Sequence, residues 1–204
     1  MIRLVKNPLH PEAVYVDLQA LTPKDDLSTI QVPEGLKRVR ITLDADAPPP
    51  EGWDQVKRMV EIRVPATLRD VHSPLVRTVN GPHWEPWFEA HWDYYRDTHD
   101  DNPPERPDDL RHTFGDAIEP GTAVFIGDGF ASLRGMKGGV IEAGWIGGSR
   151  TSVEMAVNWC IDRAAAMGAK FVAFEAEDTD PPLWNAIHAQ GRPYKMWITY
   201  EITE

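Results

Sequence analysis

The stretch GWIGGSRTSV at 144–153 lies between a strand-like apolar run and a strongly helical one. Strand, glycine-rich turn and helix is the outline of an anion-binding loop. Glycines let the backbone approach a ligand closely, and the first N–H groups of the helix point at it along the dipole. The residues in question are Ile146, Gly147, Gly148, Ser149, Arg150, Thr151 and Ser152, with Arg150 adding a cation and the hydroxyls adding donors. The same letters also spell a competing chemistry. Thr151-Ser152-Val153-Glu154 is T-x-x-E, a capping box, in which Thr151 would cap the helix and Glu154 bond back to it. In that case the chain supplies its own anion.

Three other groupings invite a chemical reading. HWEPWFEAHWDYYRDTH at 83–99 carries Trp84, Trp87, Phe88, His91, Trp92 and Tyr95 at helical spacing. Trp84, Trp87, Trp92 and Tyr95 could line an aromatic site for an apolar or cationic acceptor, although such a stripe is more commonly core. His83, His91 and His99 recur every eight residues, a drift of ~80° that puts them on no common helix face, so no metal site is expected. From Asp93 to Asp109 seven carboxylates stand against Arg96 and Arg106. They would steer a cationic acceptor or form a solvated loop, and they lack the spacing of a calcium loop.

The bulk composition bounds the class. The chain has 204 residues, 42% hydrophobic and 26% charged, enough to bury a core. A formal net charge of −11 argues against nucleic-acid or anionic-membrane partners. The single cysteine, Cys160, precludes an intrachain disulfide and falls on an apolar helix face, where an inert thiol is expected. The N-terminus lacks a signal-peptide run and no segment has ~18 consecutive apolar residues, so a soluble cytoplasmic protein is the default expectation. Nucleophile-elbow, P-loop and zincin motifs are missing.

The elements that must position these residues differ between the two halves. Residues 1–70 hold short alternating runs, AVYVDL at 13–18, RVRITL at 38–43 and VKRMVEIRV at 56–64, and read as a β-rich N-terminal extension. Beyond them come a strand at 74–79, the aromatic helix, a proline-rich acidic connector and a short helix at 109–118. Three apolar runs follow at 122–127, 130–136 and 139–147, separated by DG and KGG, which predicts an antiparallel meander. A helix over 151–167, with Val153, Ala156, Val157, Cys160, Ile161 and Ala164 inward, ends at Gly168. Strand 170–176, helix 181–191 and strand 194–202 close the chain. The expected fold class is α+β: a mixed, mainly antiparallel sheet flanked by helices.

This order of elements over 74–204, and above all SVEMAVNWCIDRAAAMGAKFVAFEAEDTDPPLWNAIHAQG at 152–191, resembles the GCN5-related N-acetyltransferase (GNAT) superfamily. The resemblance implies acetyl-CoA as co-substrate, its pyrophosphate on the N-terminus of the long helix and its thioester in a splay between strands 139–146 and 170–176. It implies direct acetyl transfer to a small amine. Glu142, on the strand that supplies a general base in many relatives, is the candidate base. His188, beside the place of the family's tyrosine acid, is the candidate acid. The departures are specific: Arg150 and Ser152 stand near where glycine or alanine is expected, and Gly147 and Gly148 come several residues early. The alternative implied is a GNAT-fold binding or assembly protein that has lost CoA. GWDQVKRMVEIRV at 52–64 resembles the closing strands of another such domain, which would make residues 1–70 a degenerate half of a tandem. A homodimer is compatible with this pattern, and no sequence feature fixes it.

Overall fold

The computed structural model describes residues 2–7, 10–71, 75–80, 83–98, 106, 108, 110–111, 121–177 and 181–204. The chain divides into two compact units, one built mainly from residues 1–59 and 195–204 and the other from residues 60–100 and 105–194.

In the first unit, β1 (Leu4–Lys6) pairs antiparallel with β2 (Ala13–Val16), and β2 runs parallel to β3 (Arg38–Asp44). The last strand of the chain, β10 (Arg192–Thr203), runs antiparallel to β3 with Tyr200 opposite Ile41. The alternation seen in RVRITL does what a half-buried strand should: Val39 and Ile41 are fully buried with Val14, Val16, Trp53 and Tyr200. On the charged face, Arg40 bonds Glu201 across the strand pair at 2.6 Å, and Glu12 accepts from Arg38 at 2.9 Å. Glu201 is itself nearly buried, so removing Arg40 would take away its hydrogen-bonded cation.

The second unit carries the meander and the crossover. Its strands lie in the order β4 (Asp54–Pro65, of which Val60 onward belongs here), β9 (Phe171–Glu177), β8 (Val140–Gly147), β7 (Gly129–Lys137), β6 (Ala123–Ile126) and β5 (Val76–Thr78). The β5–β6, β6–β7 and β7–β8 pairs are antiparallel, whereas β8 and β9 are parallel and joined through the helix α2 (Arg150–Ala166). The expected meander and mixed sheet are therefore present. The predicted inward face of α2 is buried in full, from Val153 to Ala164. Helix α2 stops at Met167, where Gly168 takes φ +82. There Gly168 N–H bonds Ala165 O and Ala169 N–H bonds Ala164 O, a Schellman ending. The short helix α3 (Pro181–Ile187) opens on proline and buries Leu183, Ala186 and Ile187. The helix expected at 109–118 lies largely outside the described residues.

Helix α1 (Trp84–Thr98) corrects one expectation. Trp87 is 0% exposed and Trp92 2%, so neither presents a surface to a substrate. Trp87 donates its indole N–H to Val124 O at 3.2 Å and meets Phe130 edge-on at 5.8 Å. Trp84 is likewise buried, and half-buried Tyr95 stacks on Trp92. The stripe holds α1 to the sheet because an amphipathic helix must bury its apolar face before it can offer anything to a ligand. Trp87→Ala should cost ~3–5 kcal/mol, read as a lower urea midpoint at unchanged slope.

Candidate functional site

The parallel ladder between β8 and β9 is short. It pairs Val140 with Phe171, Ile141 with Val172 and Glu142 with Ala173, and stops, although β8 continues to Gly147 and β9 to Glu177. The cause is on the other side of β8. Against β7, Ala143 pairs with Leu133 and Ile146 with Ala131, so three steps on β8 match two on β7. Such a bulge bends its strand and strengthens the twist. Gly144 sits inside it, where a Cβ would lie 2.3 Å from the buried Ser132 hydroxyl. Ala143 lines the same cleft as Val140 and Glu142.

That cleft has a volume of about 430 Å³ and is lined by β4, β7, β8 and β9. Its central cation is Arg134, cross-strand from Glu142. Burial lowers the Arg134 pKa from its ordinary value, while the nearby Glu142 and Glu175 carboxylates oppose that shift. The Arg134 guanidinium rests on the Trp145 ring, 4.2 Å from its centroid, and Trp145 stacks in turn on the buried His91 at 4.3 Å. Helix α1 thus supports the site from behind. At the β4 side Glu61 accepts from Arg63 at 2.7 Å, and the Arg63 guanidinium lies over the Tyr194 ring. Glu142 is exposed, with no hydrogen bond to its carboxylate among the described residues.

At the start of α2 the structure replaces the capping box. The N-cap is Ser149, not Thr151, and Glu154 pairs with Arg150 at 3.1 Å instead of bonding back to the helix start. The anion at that end comes from the β6–β7 turn. One oxygen of Asp128 accepts from Ser149 Oγ at 2.8 Å, from Ser152 Oγ at 2.5 Å and from Ser149 N–H at 3.4 Å. These bonds, Ser152 first, hold the Asp128 carboxyl below its ordinary pKa. The loop glycines serve the same contact. A Cβ on Gly148, which has φ +124, would lie 2.4 Å from Gly129 Cα, and one on Gly129 would lie 2.4 Å from Gly147 O. The glycines admit the chain's own hairpin.

Solved structures superpose on this chain over most of its length. A GCN5-related N-acetyltransferase from Sphaerobacter thermophilus superposes with a TM-score of 0.57 at 10% identity, over 81% of this chain and 59% of that one. A conserved protein of unknown function from Enterococcus faecalis aligns with all of this chain and 57% of its own, with a TM-score of 0.55 at 10% identity. An acetyltransferase of the GNAT family from Colwellia psychrerythraea gives 0.52 at 10% identity, over 82% and 66%. The chain has the GNAT fold. At such identities the likeness is one of fold, and the chain spans less than two thirds of the length of each of these three. No family sequence model matches it, and neither does any curated relative.

Within the GNAT fold the predicted residues separate into two groups. Glu142 lies at the last paired position before the strands part. Of the loop, Ser149, Arg150 and Thr151 are exposed at the helix start and Gly148 is half-buried, while Ile146, Gly147 and Ser152 are buried. His188 is exposed just after α3, its ring stacked on Trp184 and its Nδ1 2.9 Å from Trp184 O, and it does not line the cleft. Arg134, Glu175 and Asp128 were not singled out by sequence. Arg134 reaches its place through a bulge that no local pattern announces, and the Asp128-Gly129 pair read only as a hairpin turn. The fit to an acyl-CoA is correspondingly divided. The parted strands with Glu142 suit the thioester end. The helix start suits a diphosphate poorly, because Asp128 already takes the Ser149 and Ser152 donors and Arg150 is paired.

Because the Asp128 carboxyl is held below its ordinary pKa, its stabilisation is present above the unfolded value of ~4 and is lost as pH falls through the lowered one. Asp128→Asn should lower stability at pH 7 by at most about 1 kcal/mol, given its exposure, and the difference from wild type should shrink towards pH 3. Thermal melts at the two pH values check this.

Proposed function

We propose that the protein transfers an acyl group from acyl-CoA to a small primary amine, with the parted β8 and β9 strands as the reaction site. The observation that carries this reading is the position of Glu142: an exposed carboxylate at the last rung of the parallel ladder, beside Arg134. An amine is protonated at neutral pH and attacks only as the free base, so the site needs a proton acceptor at the point of attack. A bound acyl-CoA would supply the thioester carbonyl. The chain itself contributes the base, backbone N–H groups of the parted strands and the Arg134–Trp145 wall. His188 does not serve as the acid in this reading, and a thiolate is a fair leaving group without one.

A second reading, a GNAT-fold binding protein without CoA, is favoured by Asp128 at the helix start. The two diverge in one experiment. Under the acyltransferase reading, millimolar acetyl-CoA raises the melting temperature by linkage, and acetylation of an amine panel is detected as free thiol. Glu142→Gln then lowers turnover by about 10²–10⁴-fold with its melting temperature little changed. No thermal shift and no thiol release with acetyl-CoA would instead establish the binding-protein reading.

A further inference from the structure

Two arginines line the cleft, and they are held in different ways. Arg63 donates to Glu61 at 2.7 Å and lies over Tyr194. Arg134 makes no hydrogen bond or ion pair among the described residues, although Glu142 stands directly across the strand pair. Packing holds it instead. Trp145 supports the guanidinium at 4.2 Å and is itself backed by His91 at 4.3 Å and Trp87 at 6.0 Å. Gly144 leaves room for the stem, since a Cβ there would lie 3.2 Å from Arg134 Nε and 3.4 Å from its Cγ. A half-buried guanidinium with five N–H donors and no acceptor is uncommon, because desolvation without a partner costs free energy. Those donors form a rigid fork that matches a carboxylate in bidentate fashion.

A bare anion on Arg134 would meet the Glu142 carboxylate beside it, whereas a molecule that carries its own ammonium complements both groups. Cross-strand neighbours in an antiparallel pair stand about 5 Å apart, so one small molecule reaches the two side chains. We propose that the cleft binds an α-amino acid, its carboxylate on the Arg134 guanidinium and its amino group at Glu142. This names the acceptor class for the acyl-transfer reading and rests on that reading for the reaction, but the binding itself needs no acyl donor. One carbon between amine and carboxylate suits the cross-strand spacing, and a volume of about 430 Å³ leaves room for a side chain.

The test uses the full chain without CoA and follows the side-chain Nε–H resonance of Arg134 by NMR, assigned from its loss in Arg134→Lys. The probes are the standard L-amino acids, each beside its amide, which keeps the amine and lacks the anion. The expected result is that at least one amino acid shifts the Arg134 resonance saturably and binds at least about tenfold tighter than its amide. Arg134→Lys keeps the charge and loses the fork, so that amino acid should weaken towards the level of its amide, read from the β8 backbone amides. Glu142→Gln should weaken acid and amide alike. An Arg134 resonance that no amino acid moves, equal binding of acid and amide, or an Arg134 resonance that responds only to Glu142→Gln, as in a plain ion pair, would overturn the proposal. A thermal response to acetyl-CoA alongside that failure would leave acyl transfer standing and discard only this acceptor. Amino-acid binding without any response to acetyl-CoA would keep the site and discard the transfer.

Discussion

The structure of the second unit turns on a ladder that stops. Parallel strands joined by a helix normally remain paired along their length, since each abandoned rung leaves an N–H and a C=O without a partner. Here β8 and β9 share three pairs and part at Glu142 and Ala173. The bulge against β7, the glycine at its centre and the fixed twist of the sheet account for the parting. Backbone groups released beside a carboxylate and a desolvated guanidinium are the raw material of a polar reaction site. Helix α1 contributes indirectly, by seating His91 and Trp145 beneath Arg134.

The start of α2 obeys a different constraint. A helix N-terminus with unsatisfied donors attracts an anion, and in this chain the nearest is covalently attached. Asp128 reaches it because Gly129 and Gly148 allow two backbones to approach within contact that no side chain would permit. The GNAT fold and the loop chemistry therefore pull in opposite directions. The acyl-transfer proposal asks that helix start to take a diphosphate, and the loop holds a carboxylate there instead.

Much of this fold was legible because it is written in local periodicity. The meander, the inward face of α2 and the Gly168 ending each follow from spacing and turn residues within one segment. The site was legible only where a single residue carried it. Glu142 could be picked from its strand, but its relation to Arg134 depends on the register of two strands across a bulge. The T-x-x-E motif misled for a similar reason: a tertiary contact from the β6–β7 turn outcompeted the local cap, and the helix began one residue before Thr151. The tryptophans of α1 misled as acceptor candidates because burial of an amphipathic face takes precedence over its chemistry.

The proposed acyl transfer requires an acyl donor to bind at the parted strands. Amide NMR of the labelled protein titrated with acetyl-CoA tests it residue by residue. The expected shifts are concentrated at Ala143–Gly147 of β8 and Phe174–Glu177 of β9, with smaller changes at the Val140–Glu142 rungs that remain paired. Unchanged amides in both segments at saturating acetyl-CoA would contradict it.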